Sequence, residues 1–468
     1  MLFNSLEFCL FLVVVFALFW FAFQKALKVQ NGLIIVSSYL FYGWWDWRFL
    51  FLIVFSSLTD YFIGLKLEKT EQRKLRKLLL FLSVSLNLGL LGFFKYYNFF
   101  SENFSLAFSQ IGINLSPFTL DIILPVGISF YTFQTMSYTI DIYHRKLSAT
   151  KDLLAFLSFV SFFPQLVAGP IERASHLLPQ FLKERKFDYH FAVSGIRIII
   201  WGLFKKMVIA DNASIIVDGI FNDYSNQTSA SLAIGMIFFA FQIYGDFSGY
   251  SDIAIGVSRL FGFDLMTNFR FPYLSKNISE FWKRWHISLS SWFRDYLYIP
   301  LGGSKGGKWN ALINVMIVFL VSGFWHGANW TFIVWGAING LMYLPLFIQG
   351  KNKDQNFSTF SLKDSAYILL TFVITCSAWV YFRSDSVADA NRFLWTFVTG
   401  EGNLSYPISS SKHILTTAIV GLSILILVIT EVNFSKKKIE NITLSNGKLV
   451  LLILFILFTS AFQNPVSL

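Results

Sequence analysis

The amino-acid sequence predicts an all-α polytopic membrane protein with about 11–12 transmembrane helices, plus re-entrant or interfacial helices. Two observations carry that class. Apolar runs of about 17 residues or more recur from end to end, and of 468 residues 55% are hydrophobic and only 14% charged. A third observation sets aside the main rival, because the short alternating segments of an outer-membrane barrel are not seen.

The candidate spans, read by length and apolarity, are 5–23, 32–44, 48–66, 76–97, 120–143, 192–210, 230–262, 311–327, 329–348, 366–382, 414–431 and 447–463. The first is read as a retained span. Residues Met1 to Glu7 carry no Lys or Arg, Lys25 and Lys28 follow the run, and no small-residue cleavage pattern comes after it. Arithmetic for soluble chains would give about three domains. The composition overrides it. With no internal repeat, low-complexity tail or long linker, residues 1–468 are expected to form a single integral-membrane unit.

Net charge is +11, from 38 Lys and Arg against 27 Asp and Glu. In a soluble protein this would suggest nucleic acid. Here the basic residues cluster in loops between apolar runs, which is the pattern of cytoplasmic loops, so lipid is the expected partner and nucleic acid is not. Lys66 to Lys77, Arg145 to Lys151, Lys351 with Lys353, and Lys436 to Lys438 mark one side, while 98–119 and 211–229 lack Lys and Arg altogether. The positive-inside rule then places both termini outside the cytoplasm. That count closes only if 152–169 and 281–298, each flanked by basic residues, do not cross. Dipping backbone is tolerated only where protein or a water-filled cavity surrounds it, so both are expected to be re-entrant or interfacial.

Several chemistries are absent from the sequence. It has no Walker-type loop, dinucleotide fingerprint or serine-nucleophile elbow. Cys9 and Cys376 match no metal or redox spacing, and the six histidines show no ligand spacing, so no metal is expected. A transporter stays open on hydropathy alone, although internal repeats would be expected of one.

Two stretches remain that could do chemistry. The first is Phe281 to Gly303. Asn277 followed by Glu280 reads as a capping box. Phe281, Trp285, Leu289, Trp292 and Tyr296 recur at helical spacing as an apolar stripe. Arg284, Ser288, Ser291 and Asp295 form a polar one, and His286 and Ser290 share a third face. Pro300, Gly302 and Gly303 end the helix. Charges such as Arg284, Arg294 and Asp295 in these surroundings need a reason; an amphipathic helix at the membrane surface is the plain alternative. The second stretch is Ser322 to Gly327, where His326 ends a span between Gly323 and Gly327. Imidazole takes and returns a proton near neutral pH, and small neighbours would leave room for a substrate. A structural histidine bonded to a carbonyl is the alternative.

Two further places are weaker candidates. Asp246 and Asp252 interrupt an apolar run and need partners at that depth, for which Arg284 or Arg294 are plausible. Residues Phe163 to Arg173, broken by prolines and glycine, are expected to shape a cytoplasmic entrance. Lys205 and Lys206 could attract a phosphorylated donor there, or simply snorkel.

Together these motifs resemble the membrane-bound O-acyltransferases, most closely the bacterial branch that acetylates alginate. The resemblance runs through Pro125 to Gln134, Gln165 to Arg173, Asp246 to Asp252, Phe281 to Gly303, and Ser322 with Phe324-Trp325-His326-Gly327 to Trp330. It covers about residues 30–345, and its most specific strings are RWHISLS, WFRDYLYIPLGG and GFWHGANWTF. The D-alanyl-transferring relatives share the RWH and WFRDY portions, so Tyr296 to Gly303 favours the polysaccharide acetyltransferase branch. The resemblance implies helices around a central tunnel and transfer of an acyl group to a hydroxyl. It places His326 on the catalytic histidine and His286 on a second polar position. Arg294, Asp295, Arg284, Ser290, Asp246, Trp325 and Gln134 are candidates for substrate contact or support of the site. The implied donor is acetyl-coenzyme A, with no bound cofactor. The implied acceptor is an extracytoplasmic polysaccharide, reached with an extracytoplasmic esterase-like partner, at the bacterial cytoplasmic membrane. His326 would act as general base, while His286, or Arg294 through intervening bonds, would stabilise the oxyanion or orient His326.

Overall fold

In lipid every backbone polar group must be satisfied within the segment, so long apolar runs become helices. A computed structural model describes residues 1–350, 364–403, 405–406, 410–436 and 444–459, and no strand occurs among the described residues. Among the described residues seven helical stretches are long and apolar enough to cross a membrane, and Leu6–Ala22 and Asn446–Thr459 are shorter apolar helices. The longest, Leu27–Lys69, is two helices of 20 residues, Leu27–Asp46 and Leu50–Lys69. They part where the Asp46 carboxylate accepts the Arg48 backbone N–H at 3.0 Å. Lys351, Lys353, Lys437, Lys438 and the last residues of the expected final span lie outside the described residues.

Most expected spans recur within a few residues. The exception is 120–143, where the helix is only Ile128–Tyr143. Pro125 constrains the chain before it. Gly127 then turns with φ +76°, lying so close to the Leu166 carbonyl that a Cβ would stand 2.6 Å from its oxygen. The expected non-crossing segment 152–169 is two short helices, Leu153–Ser161 and Phe163–Leu166. Nine residues span only about 14 Å, under half of a hydrocarbon core of roughly 30 Å.

The chain divides into two compact units. The first comprises Met1–Gly195 with Ala254–Met266. Phenylalanines 11, 41, 163 and 261 pack in edge-on and tilted pairs at its centre. Two of its buried carboxylates are hydrogen-bonded, as burial demands. Asp60 accepts from Ser83 Oγ at 2.5 Å and from Asn87 Nδ2 at 2.8 Å. Glu172, fully buried, accepts the Met266 backbone N–H at 2.6 Å and meets His176 Nδ1 at 2.7 Å.

The second unit comprises Ile196–Ile253 with Thr267–Leu468. In it Gly307–His326 and Trp330–Ile348 pack as neighbouring helices. The backbones approach where glycine allows it. A Cβ on Gly323 would stand 2.2 Å from the Phe332 carbonyl oxygen, and one on Gly336 2.4 Å from that of Phe319. Small residues that let two membrane helices touch are the usual device for packing without a hydrophobic driving force. A Cβ on Gly327 would likewise run into the Phe332 ring at 2.0 Å. The sequence had suggested that Gly323 and Gly327 leave room for a substrate beside His326. That space is filled by the neighbouring helix.

Candidate active site

The expected continuous helix from 277 to 299 is broken. Asn277 caps it as anticipated, accepting the Glu280 backbone N–H at 2.9 Å. The returning Glu280 carboxylate takes the N–H of Lys276, one residue before the cap, at 2.8 Å. The helix Ile278–Arg284 then stops, Trp285 is extended, and His286 sits in the left-handed region at φ +44° before Ile287–Phe293 begins. The cause is a strand-like crossing by the preceding loop. Arg270 N–H donates to the Arg284 carbonyl and Ile287 N–H to the Asn268 carbonyl, both at 2.9 Å. Phe271 also lies at positive φ, 51°. Neither residue is glycine, and such backbone costs on the order of 1–3 kcal/mol per residue. It persists here because the surrounding bonds hold it.

The break aims His286 inward. Its ring is 1% exposed and packs edge-on against Phe247 at 4.6 Å. Nδ1 lies 3.2 Å from Asn268 Oδ1, and Ser288 Oγ is 2.9 Å from that same oxygen. Asn268 in turn donates from Nδ2 to Ser251 Oγ at 3.1 Å. His286 Nε2 is buried with no hydrogen-bond partner among the described residues. Burial, then the neighbouring His326, hold the His286 pKa well below the ordinary histidine range.

His326 closes its helix and is partly exposed. Three aromatic rings meet it nearly edge-on: Trp325 at 4.9 Å, Trp335 at 5.3 Å and Phe382 at 5.4 Å. Trp379 stacks on Trp335 at 5.4 Å. The Trp325 ring also stands 6.2 Å from that of His286, so one buried tryptophan lies against both imidazoles. The arrangement pairs a fixed, dry imidazole with one that solvent or a substrate can reach. Proton transfer to and from a hydroxyl is the chemistry such a pair supports.

The other candidates divide. Trp325 belongs to the pair. Arg284 is buried and bonded to Glu280 and, at 3.4 Å, to the Phe271 carbonyl, which braces the broken helix. Ser290 Oγ reaches the Trp285 carbonyl at 3.4 Å, again across the break. Arg294 is exposed, with its Nε on Asp295 at 2.8 Å in a π-helical turn. Asp246 is paired with Lys206 at 2.6 Å, and Asp252 with Lys205 at 2.8 Å. The expected partners Arg284 and Arg294 are therefore not those of the aspartates. Lys206 also holds Asp211 at 2.8 Å, and both lysines are buried. Committed to carboxylates, they are not free to attract a phosphorylated donor, as the sequence reading had allowed. Gln134 belongs to the first unit, where its amide donates to the Phe159 carbonyl at 2.6 Å and accepts from Gln165 at 2.9 Å.

Sequence reasoning missed Asn268, Ser251, Trp335, Trp379 and Phe382. Asn268 sits in a stretch with no periodic signal of chemistry, and Ser251 stands beside Asp252 in a stretch singled out for its aspartates. Trp379 and Phe382 come from the helix Ser365–Arg383, beyond the motifs.

The model of the membrane-bound O-acyltransferase family matches residues 71–384, a stretch that holds both imidazoles. The chain belongs to the membrane-bound O-acyltransferase family. It is 40% identical over 409 residues to a probable alginate O-acetylase of Pseudomonas putida, covering 86% of this chain and 82% of that one. It is 37% identical over 388 residues to a peptidoglycan O-acetyltransferase of Helicobacter pylori, covering 77% and 72%. A teichoic acid D-alanyltransferase of Streptococcus thermophilus matches less, at 30% over 236 residues, 46% of this chain and 55% of that one. The protein is thus a multi-pass membrane O-acyltransferase.

Proposed function

We propose that this membrane-bound O-acyltransferase moves an acetyl group from a cytoplasmic thioester, acetyl-coenzyme A, to a hydroxyl of an extracytoplasmic polysaccharide, or to one on an esterase-like partner that completes the transfer outside the cell. The observation that carries the reading is the pair of imidazoles, one sealed and one accessible, sharing the Trp325 ring. One relative is named for acetylating alginate and another for acetylating peptidoglycan, which supports the acceptor class.

His326 takes the proton of the incoming hydroxyl, whose oxygen bonds to the thioester carbonyl carbon. The tetrahedral intermediate collapses by breaking the carbon–sulfur bond, and the proton held on His326 leaves with the thiolate. His286 assists, either by stabilising the oxyanion or by orienting His326.

The test is to incubate the purified protein with labelled acetyl-coenzyme A and an acceptor polysaccharide, with envelope extract supplying the partner. Thioester consumption with label in a new ester is expected. Movement of polysaccharide across the membrane without ester formation would favour a transporter instead.

A further inference from the structure

We propose that Asn268 is a positioning residue that holds His286 as the tautomer protonated at Nδ1, which leaves the buried Nε2 a hydrogen-bond acceptor. The inference rests on the reading that His286 takes part in the transfer, and it sets aside the oxyanion role left open for that residue.

Asn268 is fully buried in the loop that crosses the broken helix. The orientation of its amide follows from the bonds around it. The Ser288 backbone N–H, which can only donate, points at Oδ1 from 3.2 Å. On the other side Nδ2 reaches Ser251 Oγ at 3.1 Å. The atom facing the imidazole is therefore an oxygen with no hydrogen to give. A bond between it and Nδ1 at 3.2 Å must be donated by the ring. A neutral imidazole has one N–H, so Nε2 carries its lone pair. That nitrogen has no hydrogen-bond partner among the described residues. Ser288 Oγ also lies 3.4 Å from Nδ1, but its single hydrogen goes to the nearer Oδ1 at 2.9 Å, so the opposite tautomer would set two lone pairs against each other inside a sealed pocket.

An acceptor nitrogen repels a developing oxyanion. The tautomer therefore assigns His286 to accept a proton-bearing group, either the acceptor hydroxyl or an N–H of His326. The Asn268 oxygen also serves the N-terminus of Ile287–Phe293, since it takes the Ser288 N–H. A purely structural role would be confined to that bond, so the test must read the ring itself.

The measurement is the 15N spectrum of the histidine side chains of the full chain in lipid nanodiscs, with His286 assigned by difference from a His286→Gln sample. A protonated Nδ1 and an unprotonated Nε2 are expected, and the reverse overturns the proposal whatever the activity. Asn268→Leu, which removes the acceptor, is expected to move the proton to Nε2. It should lower kcat by about tenfold or more while leaving KM for acetyl-coenzyme A within about twofold. Asn268→Asp restores an acceptor and should recover both the tautomer and the rate. Wild-type kcat in Asn268→Leu, where His286→Gln is impaired, would overturn the proposal. If that variant does not accumulate in membranes, the wild-type spectrum and the rate of Asn268→Asp decide. A silent His286→Gln enzyme, with the expected tautomer in the wild type, would instead remove His286 from the reaction and leave the Asn268 assignment standing.

Discussion

At position 286 the backbone, the burial and the hydrogen bonds all serve one imidazole. The left-handed φ, the Asn268 contact and the Phe247 ring hold it in a dry place. Its pKa lies below that of a free histidine, so the unfolded chain binds the proton more readily than the folded one. Stability is therefore full above the ordinary histidine pKa of about 6.5 and falls as the pH drops below it. Thermal unfolding in detergent between neutral and mildly acidic pH should show His286→Gln losing less stability than the wild type. An equal loss would mean that the ring is not kept neutral. The buried lysines give a second prediction at this scale. Lys206→Met strands Asp211 and Asp246 without their cation, a change that costs about 3–5 kcal/mol in buried pairs. Protein recovered in membranes should drop sharply, and Asp211→Asn with Asp246→Asn in the same chain should restore part of it. The two histidines were legible from the sequence because charge and imidazole stand out in an apolar chain. Their supports were not. Asn268 is an ordinary loop residue until the fold sets its amide against His286, and the aspartates' lysines lie some 40 residues away in the chain.

Among the elements, the helix pair Gly307–His326 and Trp330–Ile348 sets where His326 sits. Gly323 and Gly336 face each other with their Cα atoms so close that either Cβ stands 3.3 Å from the other glycine. Gly323→Ala should destabilise the protein by roughly 1–3 kcal/mol through overpacking. It should also reduce transfer by shifting His326. Gly421→Ala, where nothing lies within 4 Å of the new carbon, is the control and should leave both unchanged. Thermal melting and acetyl transfer measured on the same preparations check this. Most span positions were legible to within a few residues because a long apolar run must be helical in lipid. The break at Trp285 and His286 was not. Its apolar stripe has perfect helical spacing, and only the loop at 268–271, paired across it, interrupts the helix.

Over the whole molecule, family membership and the all-α membrane architecture were both readable, the first from strings of motif residues and the second from apolar runs. The contribution of the last hundred residues was not. Trp379 and Phe382 wall His326, and Glu431 accepts the Tyr244 hydroxyl at 2.5 Å inside the second unit. No motif announced them, since packing partners distant in sequence have no pattern of their own. The loop charges predict that both termini face away from the cytoplasm. In a chain with Cys9 and Cys376 replaced, single cysteines between 98 and 119 should react with an impermeant thiol reagent in intact cells. Cysteines near Lys146 should react only after the membrane is opened. The reverse pattern would put the donor on the wrong side.

The central claim is that His326 moves the proton in the acyl transfer, and the ester content of cell-surface polysaccharide tests it most directly. With His326→Ala present in membranes at the wild-type level, O-acetyl ester should fall to that of cells lacking the protein. Acetylation at the wild-type level by that variant would contradict the account.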